Sequence, residues 1–436
     1  MKCYNAAAMR KIIVSTISVM IVLTIISYIL ILNPGFQERA GWHLNAWAIR
    51  LRTWFRPPEE VTFSAADSQD GLKEPFVGVL QGTPIPSGSK EDEELVAEAS
   101  FPPNPSAYLL EGGSYFSQHN RWNYCGPASI ATLLSYWGWE GDHDEAASGL
   151  RTYSKDKNIM LYEMVDFAQA EGFGALERVG GDLETLKRLI SHGYPVIVEK
   201  GTHFRDIHYQ ITWMGHYQVL TGYDDSQGYF IAQDPYIDPD IQQPYNVLID
   251  EWRSFNYAYL VIFPDAEEHI VLDLLGVDAV TFKNYERALE KAQAELYQVD
   301  GVDLFFAMFN YGSNLVHLRD YAGAAKAYDQ AFMIYDTLPE DLSIRPYRIL
   351  WYQTEPFFAY YYTGRYTDVV QKATRNSIEM VRDDLPALEE SYYWRGVSKI
   401  ALGDKDSGIK DLLQCLEYHR DFPPCIESLH QQGIYP

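Results

Sequence analysis

The chain has 436 residues, 47% of them hydrophobic, which is enough for two or three domains with buried cores. Its 35 Lys and Arg against 60 Asp and Glu give a formal net charge of −25, which would repel nucleic-acid phosphates. We therefore expect no nucleic-acid partner. The four cysteines, Cys3, Cys125, Cys415 and Cys425, are too few and too scattered for a disulfide framework, and none belongs to a CxxC pair. Cys415 and Cys425 could pair in an exported protein, but their spacing does not decide this.

Near the N-terminus, an uncharged apolar run covers Ile12–Leu32. It is as long as the roughly 20 residues that a helix needs to cross a bilayer. Residues 33–37 offer no small-x-small cleavage site, so we predict a cytoplasmic tail and transmembrane anchor over residues 1–35, with a cleaved signal peptide as the alternative. Basic residues flank the run on both sides, so the charge rule hardly indicates its orientation.

Residues 36–107 have the pattern of a juxtamembrane segment followed by a linker. Apolar residues from Leu44 to Trp54 recur at steps of three and four, which is typical of a helix lying in the headgroup region. From Pro57 to about Ser106 the sequence is rich in Pro, Gly, Ser and acidic residues and has no period, which predicts a flexible tether. We expect a single-pass membrane protein whose folded domains are extracytoplasmic.

Cys125 stands at the start of an apolar helical segment and is the candidate nucleophile. Gly126 is expected to free the turn into the helix, and Pro127 suits a first-turn position because its missing N–H costs nothing there. Backbone amides at a helix N-terminus favour a thiolate. The alternative is a small buried cysteine that precedes a core helix.

Order is expected from 108 to 264, with helices first and strands afterwards. Three helical patterns follow the Cys125 helix, at 144–152, 160–171 and 182–192. Predicted strands cover 195–199, 216–223, 229–234 and 257–263. This order predicts an α+β domain with an antiparallel sheet.

A thiol nucleophile needs a base and a group that orients the base, and His216 and Asp234 are the candidates. They lie on two strands of one predicted hairpin. A turn centred on Asp225 would place them directly opposite, and one centred on Ser226 would make them diagonal neighbours on one face. A turn centred between Asp225 and Ser226 would place His216 and Asp234 on opposite faces of the sheet.

Other residues compete for these roles. His203 and His208 are rival bases, but neither begins an alternating strand beside a glycine. Gln118, seven residues before Cys125, is the candidate side-chain donor to an oxyanion, together with the Cys125 N–H. Asn120 and Asn123 are the substitutes for it. We interpret Asp142-His-Asp144 as a helix start and not as a cation site.

The remainder, 265–436, predicts successive helices with an irregular repeat. Small and aromatic residues follow Gly312 at offsets that recur after Gly396, and a degenerate middle unit starts near Phe357. The spacing resembles the tetratricopeptide repeat, which predicts an all-α solenoid with a groove for a protein partner. The alternative is a generic helical bundle.

Together, several motifs resemble the papain-like cysteine peptidases of the bacteriocin-processing, double-glycine leader type, and especially their stand-alone bacterial relatives. The motifs are Gln118, Cys125-Gly-Pro-Ala-Ser, Gly215-His-Tyr-Gln-Val-Leu-Thr-Gly-Tyr223 and Gln233-Asp-Pro235, and the likeness covers about 108–264. It implies Cys125 as nucleophile, His216 as general base, Asp234 as its orienter and Gln118 as oxyanion donor, with no metal or cofactor. No transporter domain accompanies these motifs, so export-coupled leader cleavage is not carried over.

The sequence therefore predicts a membrane-tethered cysteine peptidase that acts on a peptide or protein and recruits substrate or a partner through its helical repeats. One alternative is a catalytically silent adaptor that binds proteins through the repeats. Another keeps the fold and acts as an amidase or transpeptidase on cell-wall peptides.

Overall fold

A computed structural model describes residues 101–118, 121, 123–150, 158–205, 210–378 and 388–436. All of them fall in one of the two compact units into which the chain divides. The predicted anchor at Ile12–Leu32, the juxtamembrane segment and the linker up to residue 100 lie outside the described residues. Within the ranges described, no helix is long and apolar enough to cross a membrane.

The predicted order of helices, then a sheet, then helices holds only broadly. A strand at 107–109 precedes the first helix, another at 173–178 lies among the predicted helices, and a helix at 245–253 precedes the last strand. The strands are β1 Ala107–Leu109, β2 Phe173–Arg178, β3 Val196–Arg205, β4 Ile211–Asp224, β5 Tyr229–Gln233, β6 Ile241–Pro244 and β7 Tyr259–Pro264. The helices that pack on the sheet are α1 Cys125–Ser135, α2 His143–Leu150, α3 Leu161–Ala170, α4 Leu183–Ser191, α5 Tyr245–Arg253 and α6 Glu268–Leu275. The helices beyond them are α7 Thr281–Glu295, α8 Gly301–His317, α9 Tyr321–Thr337, α10 Ile349–Tyr352, α11 Glu355–Tyr362, α12 Tyr366–Ala373, α13 Glu389–Ala401, α14 Lys405–Tyr418 and α15 Pro423–Gln431.

The sheet is antiparallel, with strand order β2-β7-β3-β4-β5-β6, and β1 pairs with the end of β4. Side chains alternate between its two faces, as period-two strands require. In β7, for example, Leu260 and Ile262 pack with α1 to α3, whereas Val261 and Phe263 pack with α4 to α6. The α+β domain that the sequence predicts is confirmed, and its sheet is covered by helices on both faces.

Two strands are longer than the sequence pattern indicates. β3 and β4 pair from Val196 opposite Leu220 to Arg205 opposite Ile211. The prediction that His216 begins its strand is therefore wrong, because β4 starts five residues earlier, at Ile211. The glycines at 201 and 215 face each other inside this ladder and interrupt the apolar alternation that marks a strand in sequence.

Beyond β7 the described chain is helical, as predicted, and contains three helical hairpins: α8 with α9, α11 with α12, and α13 with α14. Small residues lie where paired helices approach. A Cβ on Gly312 would come within 3.0 Å of the Tyr328 ring, and one on Gly396 within 3.0 Å of the Gly408 carbonyl oxygen. The lack of a side chain at these glycines permits the paired helices to cross closely.

The helical region is joined to the sheet by buried polar contacts. Asn256, which follows α5, exchanges side-chain amide hydrogen bonds of 2.7 and 3.2 Å with Asn314 of α8. The buried Arg253 pairs with Glu295 of α7 at 3.2 Å and with Asp303 of α8 at 3.1 Å. Because a buried polar group without its partner is costly, these pairs fix where α7 and α8 dock.

Replacing Arg253 tests this docking. Arg253→Met removes a buried cation from two carboxylates, so we expect a loss of about 3–5 kcal/mol in the free energy of unfolding. Urea denaturation followed by circular dichroism measures it, and Lys326→Met, at an exposed position of α9, is the matched control. Equal stability of the two variants would show that the Arg253 contacts do not hold the helical region in place.

Candidate active site

Cys125 is the first residue of α1, as predicted, and its thiol is partly exposed. Among the cysteines of the described ranges it alone is free, because Cys415 and Cys425 form a disulfide. No side chain caps the N-terminus of α1. Its first backbone N–H groups therefore remain available to a negative charge at the thiol.

The turn into α1 is made differently from the sequence prediction. Gly126 has no positive φ, and the residue that does is Asn123, with φ 54°. Gly126 is required for packing instead, because a Cβ there would come within 3.0 Å of Met164 Cε and 3.4 Å of the Ile159 side chain. The prediction that Gly126 frees the turn is therefore wrong. Because Gly126 has no side chain, α3 and Ile159 can approach the nucleophile.

His216 and Asp234 come together, with His216 Nε2 at 2.9 Å from Asp234 Oδ1. The hairpin tip pairs Asp224 with Tyr229, a register that by itself would send the two side chains to opposite faces. A bulge between Leu220 and Gly222 shifts the register by one residue, so that Val219 lies opposite Gln233. This shift gives the diagonal arrangement that the sequence predicts for a turn centred on Ser226.

The Asp234 carboxylate is fixed by several donors. Oδ1 accepts the backbone N–H of Tyr236 at 2.9 Å and of Ile237 at 3.0 Å. Burial opposes ionisation of Asp234, but the contact with His216 outweighs it and holds the pKa of this carboxyl below its ordinary value. Asp234 is thus a fixed anion behind the imidazole.

His216 is buried between this anion and the thiol. Burial alone would lower its pKa, but Asp234 and, to a smaller extent, Cys125 raise the pKa to about 9. Nε2 is engaged by Asp234, which leaves the other ring nitrogen, Nδ1, for the thiol. The arrangement therefore favours an imidazolium at His216 at neutral pH.

Gln118 lies between the nucleophile helix and the Asp234 turn. Its backbone N–H donates to the Pro235 carbonyl at 2.8 Å, and two residues earlier the Phe116 N–H donates to Thr132 Oγ1 of α1 at 3.1 Å. The Gln118 side chain is buried, and its Oε1 has no hydrogen-bond partner within the described part of the chain. The fold therefore leaves the side-chain oxygen unused, and the backbone contacts attach this segment to both the nucleophile helix and the Asp234 turn.

Sequence reasoning missed Glu199, a buried carboxyl close to Cys125. Tyr217 Oη lies 2.7 Å from the Ile159 carbonyl oxygen and 2.9 Å from Glu199 Oε1. Since the carbonyl can only accept, the Tyr217 proton goes to it, and the contact with Glu199 needs a proton from Glu199. Burial raises the pKa of Glu199 well above its ordinary value, and Cys125 adds to the rise. An acidic residue that ends the apolar run 195–198 is the signal that could have revealed it.

Of the two rival histidines, the structure describes His203, which lies in β3 opposite Trp213 of β4. His208 and Asn120 lie outside the described residues. Asp142 Oδ1 accepts the N–H groups of Asp144 and Glu145, so the predicted helix start is confirmed there.

One set of described side chains could hold a metal ion, away from the four candidate residues in sequence. Ligand atoms of Glu163, Glu389 and His419 lie within 4.8 Å of one another. Glu163 Oε2 accepts the Met160 N–H at 2.7 Å, and Glu389 contacts His419 at 3.2 Å. These groups already have partners, and we assign no metal to them.

The segment that contains the candidate site matches a known protein family. Residues 112–260 match the Peptidase_C39 like family. This C39-like segment contains all four candidate residues. A crystal structure from Bacillus anthracis described as a C39-like peptidase is similar over 36% of this chain and 98% of that chain, with 17% identity and a TM-score of 0.30. No curated protein matches.

The protonation of His216 in the C39-like segment is measurable. Its folded-state pKa is raised above the ordinary 6.5, so the imidazolium contributes stability below pH 6.5 that is lost as the pH rises through about 9. In NMR titrations we expect a ring midpoint near pH 9 in the wild type and a midpoint lower by about 1–3 pH units in Asp234→Asn. Loss of the signal in His216→Gln assigns it, and a wild-type midpoint near 6.5 contradicts the prediction.

Proposed function

We propose that the chain is a membrane-anchored cysteine peptidase that cleaves a peptide or protein bond with Cys125, His216 and Asp234. The observation that carries the proposal is the 2.9 Å contact of His216 Nε2 with Asp234 Oδ1, together with the rise in the His216 pKa to which Cys125 contributes. The match of the surrounding segment to a peptidase family supports it.

The reaction follows from these contacts. The Cys125 thiolate attacks the carbonyl carbon and forms a C–S bond, while the carbonyl oxygen becomes an oxyanion that accepts hydrogen bonds from the Cys125 N–H and the Gln118 amide. The His216 imidazolium donates its proton to the departing amine as the C–N bond breaks. Neutral His216 then takes a proton from water, which attacks the thioester and releases the acid and the thiol.

Thiol labelling separates an active site from a silent one. With iodoacetamide at pH 6, Cys125 should react at least about tenfold faster than free cysteine, because the imidazolium holds it as the thiolate. His216→Ala should remove this advantage. The measurement is the alkylation rate of the Cys125 peptide by mass spectrometry.

His192→Ala is the matched control, since it removes an exposed histidine and should leave the rate unchanged. If Cys125 reacts no faster than free cysteine, the peptidase assignment is wrong and the adaptor alternative is favoured. If Cys125 does react faster, proteins trapped by Cys125→Ala would identify the substrate.

We further propose that the helical hairpins beyond the sheet form a tetratricopeptide-like module that recruits the substrate or a protein partner. The three hairpins and the close crossings at Gly312 and Gly396 support this assignment. A groove lined by such hairpins would present side chains along an extended peptide.

We also propose that the folded domains lie outside the cytoplasm, tethered by a membrane span at Ile12–Leu32. The Cys415–Cys425 disulfide supports this location, because such bonds persist in oxidising compartments. Both cysteines are buried between α14 and α15, where the bond would fasten the end of the chain.

Differential alkylation tests the compartment. In intact cells quenched with an alkylating agent, we expect Cys415 and Cys425 to be recovered as one cross-linked peptide and Cys125 as a free thiol. A variant that lacks residues 1–35 should stay in the cytoplasm and show both thiols reduced. Reduced thiols in the full-length chain would reverse the assignment.

A further inference from the structure

Gln218, two residues after His216 in β4, is a fully buried amide beside the candidate active site. Its side-chain atoms Nε2 and Oε1 are both buried, and neither has a hydrogen-bond partner among the described residues. Its neighbours on the same face are apolar, because Val198 lies opposite it in β3 and Leu220 follows it in β4. A buried amide without a partner is costly, so its presence here needs an explanation.

Asp234 has the complementary unpaired atom. Its Oδ1 contacts His216 and also accepts two backbone N–H groups. Its Oδ2 is buried as well, but this oxygen has no partner in the described part of the chain. An ionised carboxylate oxygen can only accept a hydrogen bond, so Oδ2 needs a donor.

The register of β4 and β5 brings Gln218 and Asp234 together. Past the bulge Val219 lies opposite Gln233, and continuing this register by one residue places Gln218 opposite Asp234. Side chains that lie directly opposite share one face, with their Cβ atoms about 5 Å apart, which is closer than diagonal neighbours. His216 is the diagonal neighbour of Asp234 and still reaches Oδ1 at 2.9 Å. The Gln218 amide, which starts closer, therefore lies within the span of one water from Oδ2.

A cation on the same face is already engaged elsewhere. The buried Lys200 of β3 donates from Nζ to Glu251 Oε2 at 2.7 Å and to Gln243 Oε1 at 3.1 Å. Lys200 thus adds positive charge near Asp234 without a hydrogen bond to Oδ2. Among the described residues of this face, Gln218 keeps an unused donor.

We propose that Gln218 is a positioning residue for the reaction of Cys125, His216 and Asp234, and that one buried water links its side-chain N–H to Asp234 Oδ2. The water accepts from Nε2 and donates to Oδ2, so both oxygens of the carboxylate are held. Because a hydrogen bond to the ionised form stabilises it, the link keeps Asp234 charged and His216 oriented and protonated. This inference rests on the proposed peptidase function.

Gln218→Met in the full-length chain tests the link, because methionine keeps the length of the side chain but has no N–H to donate. Losing the hydrogen bond makes Asp234 a weaker partner for the imidazolium, so we expect the NMR midpoint of His216 to fall by about 0.5–1 pH unit. The alkylation rate of Cys125 at pH 6 should fall about threefold or more. The urea concentration at half-unfolding should fall as well.

A merely structural role predicts a different result. If Gln218 is only an unpaired amide in an apolar core, methionine removes the cost of burying it, so the variant unfolds at higher urea and the His216 midpoint is unchanged. That result would overturn the proposal. Gln218→Asn keeps the amide, and a water can span the missing methylene. Its His216 midpoint should therefore lie closer to the wild type than that of Gln218→Met.

Gln330→Met is the matched control. Gln330 of α9 also has a buried Oε1 without a partner among the described residues, but it lies in the helical region. The same substitution there should leave the His216 midpoint and the alkylation rate unchanged. If Gln218→Met fails to fold, Gln218→Val, which suits a buried strand, takes its place and should lower the His216 midpoint equally.

The outcomes separate this inference from the proposed function. If wild-type Cys125 is alkylated no faster than free cysteine, the peptidase function is wrong. If the wild type reacts rapidly and Gln218→Met keeps both its alkylation rate and its His216 midpoint, the function stands and the role of Gln218 is overturned.

Discussion

The candidate active site depends on a one-residue change of register between two adjacent strands. The β4–β5 hairpin begins at its tip in a register that would separate His216 from Asp234 across the sheet. The bulge between Leu220 and Gly222 corrects this before the strands reach the site. Bulges commonly re-aim side chains beside active sites, and here the bulge makes the 2.9 Å hydrogen bond possible.

The second constraint is the docking of the helical region. Its contacts with the sheet domain are buried and polar at Arg253 and Asn256, and aromatic where Trp213 and Phe255 join the core of the helical region. Trp213 of β4 and Phe255, which follows α5, therefore contribute to a core that belongs mainly to later helices. This interlocking brings α10 against the backbone next to His216. A recruiting module joined to the sheet domain only by a tether would not make such a contact.

The sequence was sufficient where the signals are local. A cysteine before Gly-Pro and an apolar segment predicts a helix N-terminus, and the structure begins α1 at Cys125. The His216 and Asp234 pairing was limited to a few registers by the turn between them. Gly222 in the apolar strand is compatible with a bulge but does not show that one forms there, so the choice between registers needed the structure.

What the sequence could not provide is contact between distant segments. Tyr352, whose ring lies against Gly215, is 136 positions after His216 in the chain, in a segment with the pattern of an ordinary apolar helix. Glu199 is recognisable only as an acid at the end of an apolar run, and its neighbour Tyr217 is one of 33 tyrosines. Such contacts follow from tertiary packing, which local periodicity does not encode.

The charges around Cys125 explain why Glu199 must carry a proton. The Asp234 carboxylate faces the His216 imidazolium, and Lys200 adds positive charge near it. A further buried anion at Glu199 would add negative charge beside the nucleophile. The Tyr217 hydroxyl has one proton and lies between two oxygens, the Ile159 carbonyl oxygen and Glu199 Oε1. Both contacts can be hydrogen bonds only when Glu199 is protonated. Burial of a carboxyl beside the nucleophile is therefore compatible with catalysis because the fold keeps that carboxyl uncharged.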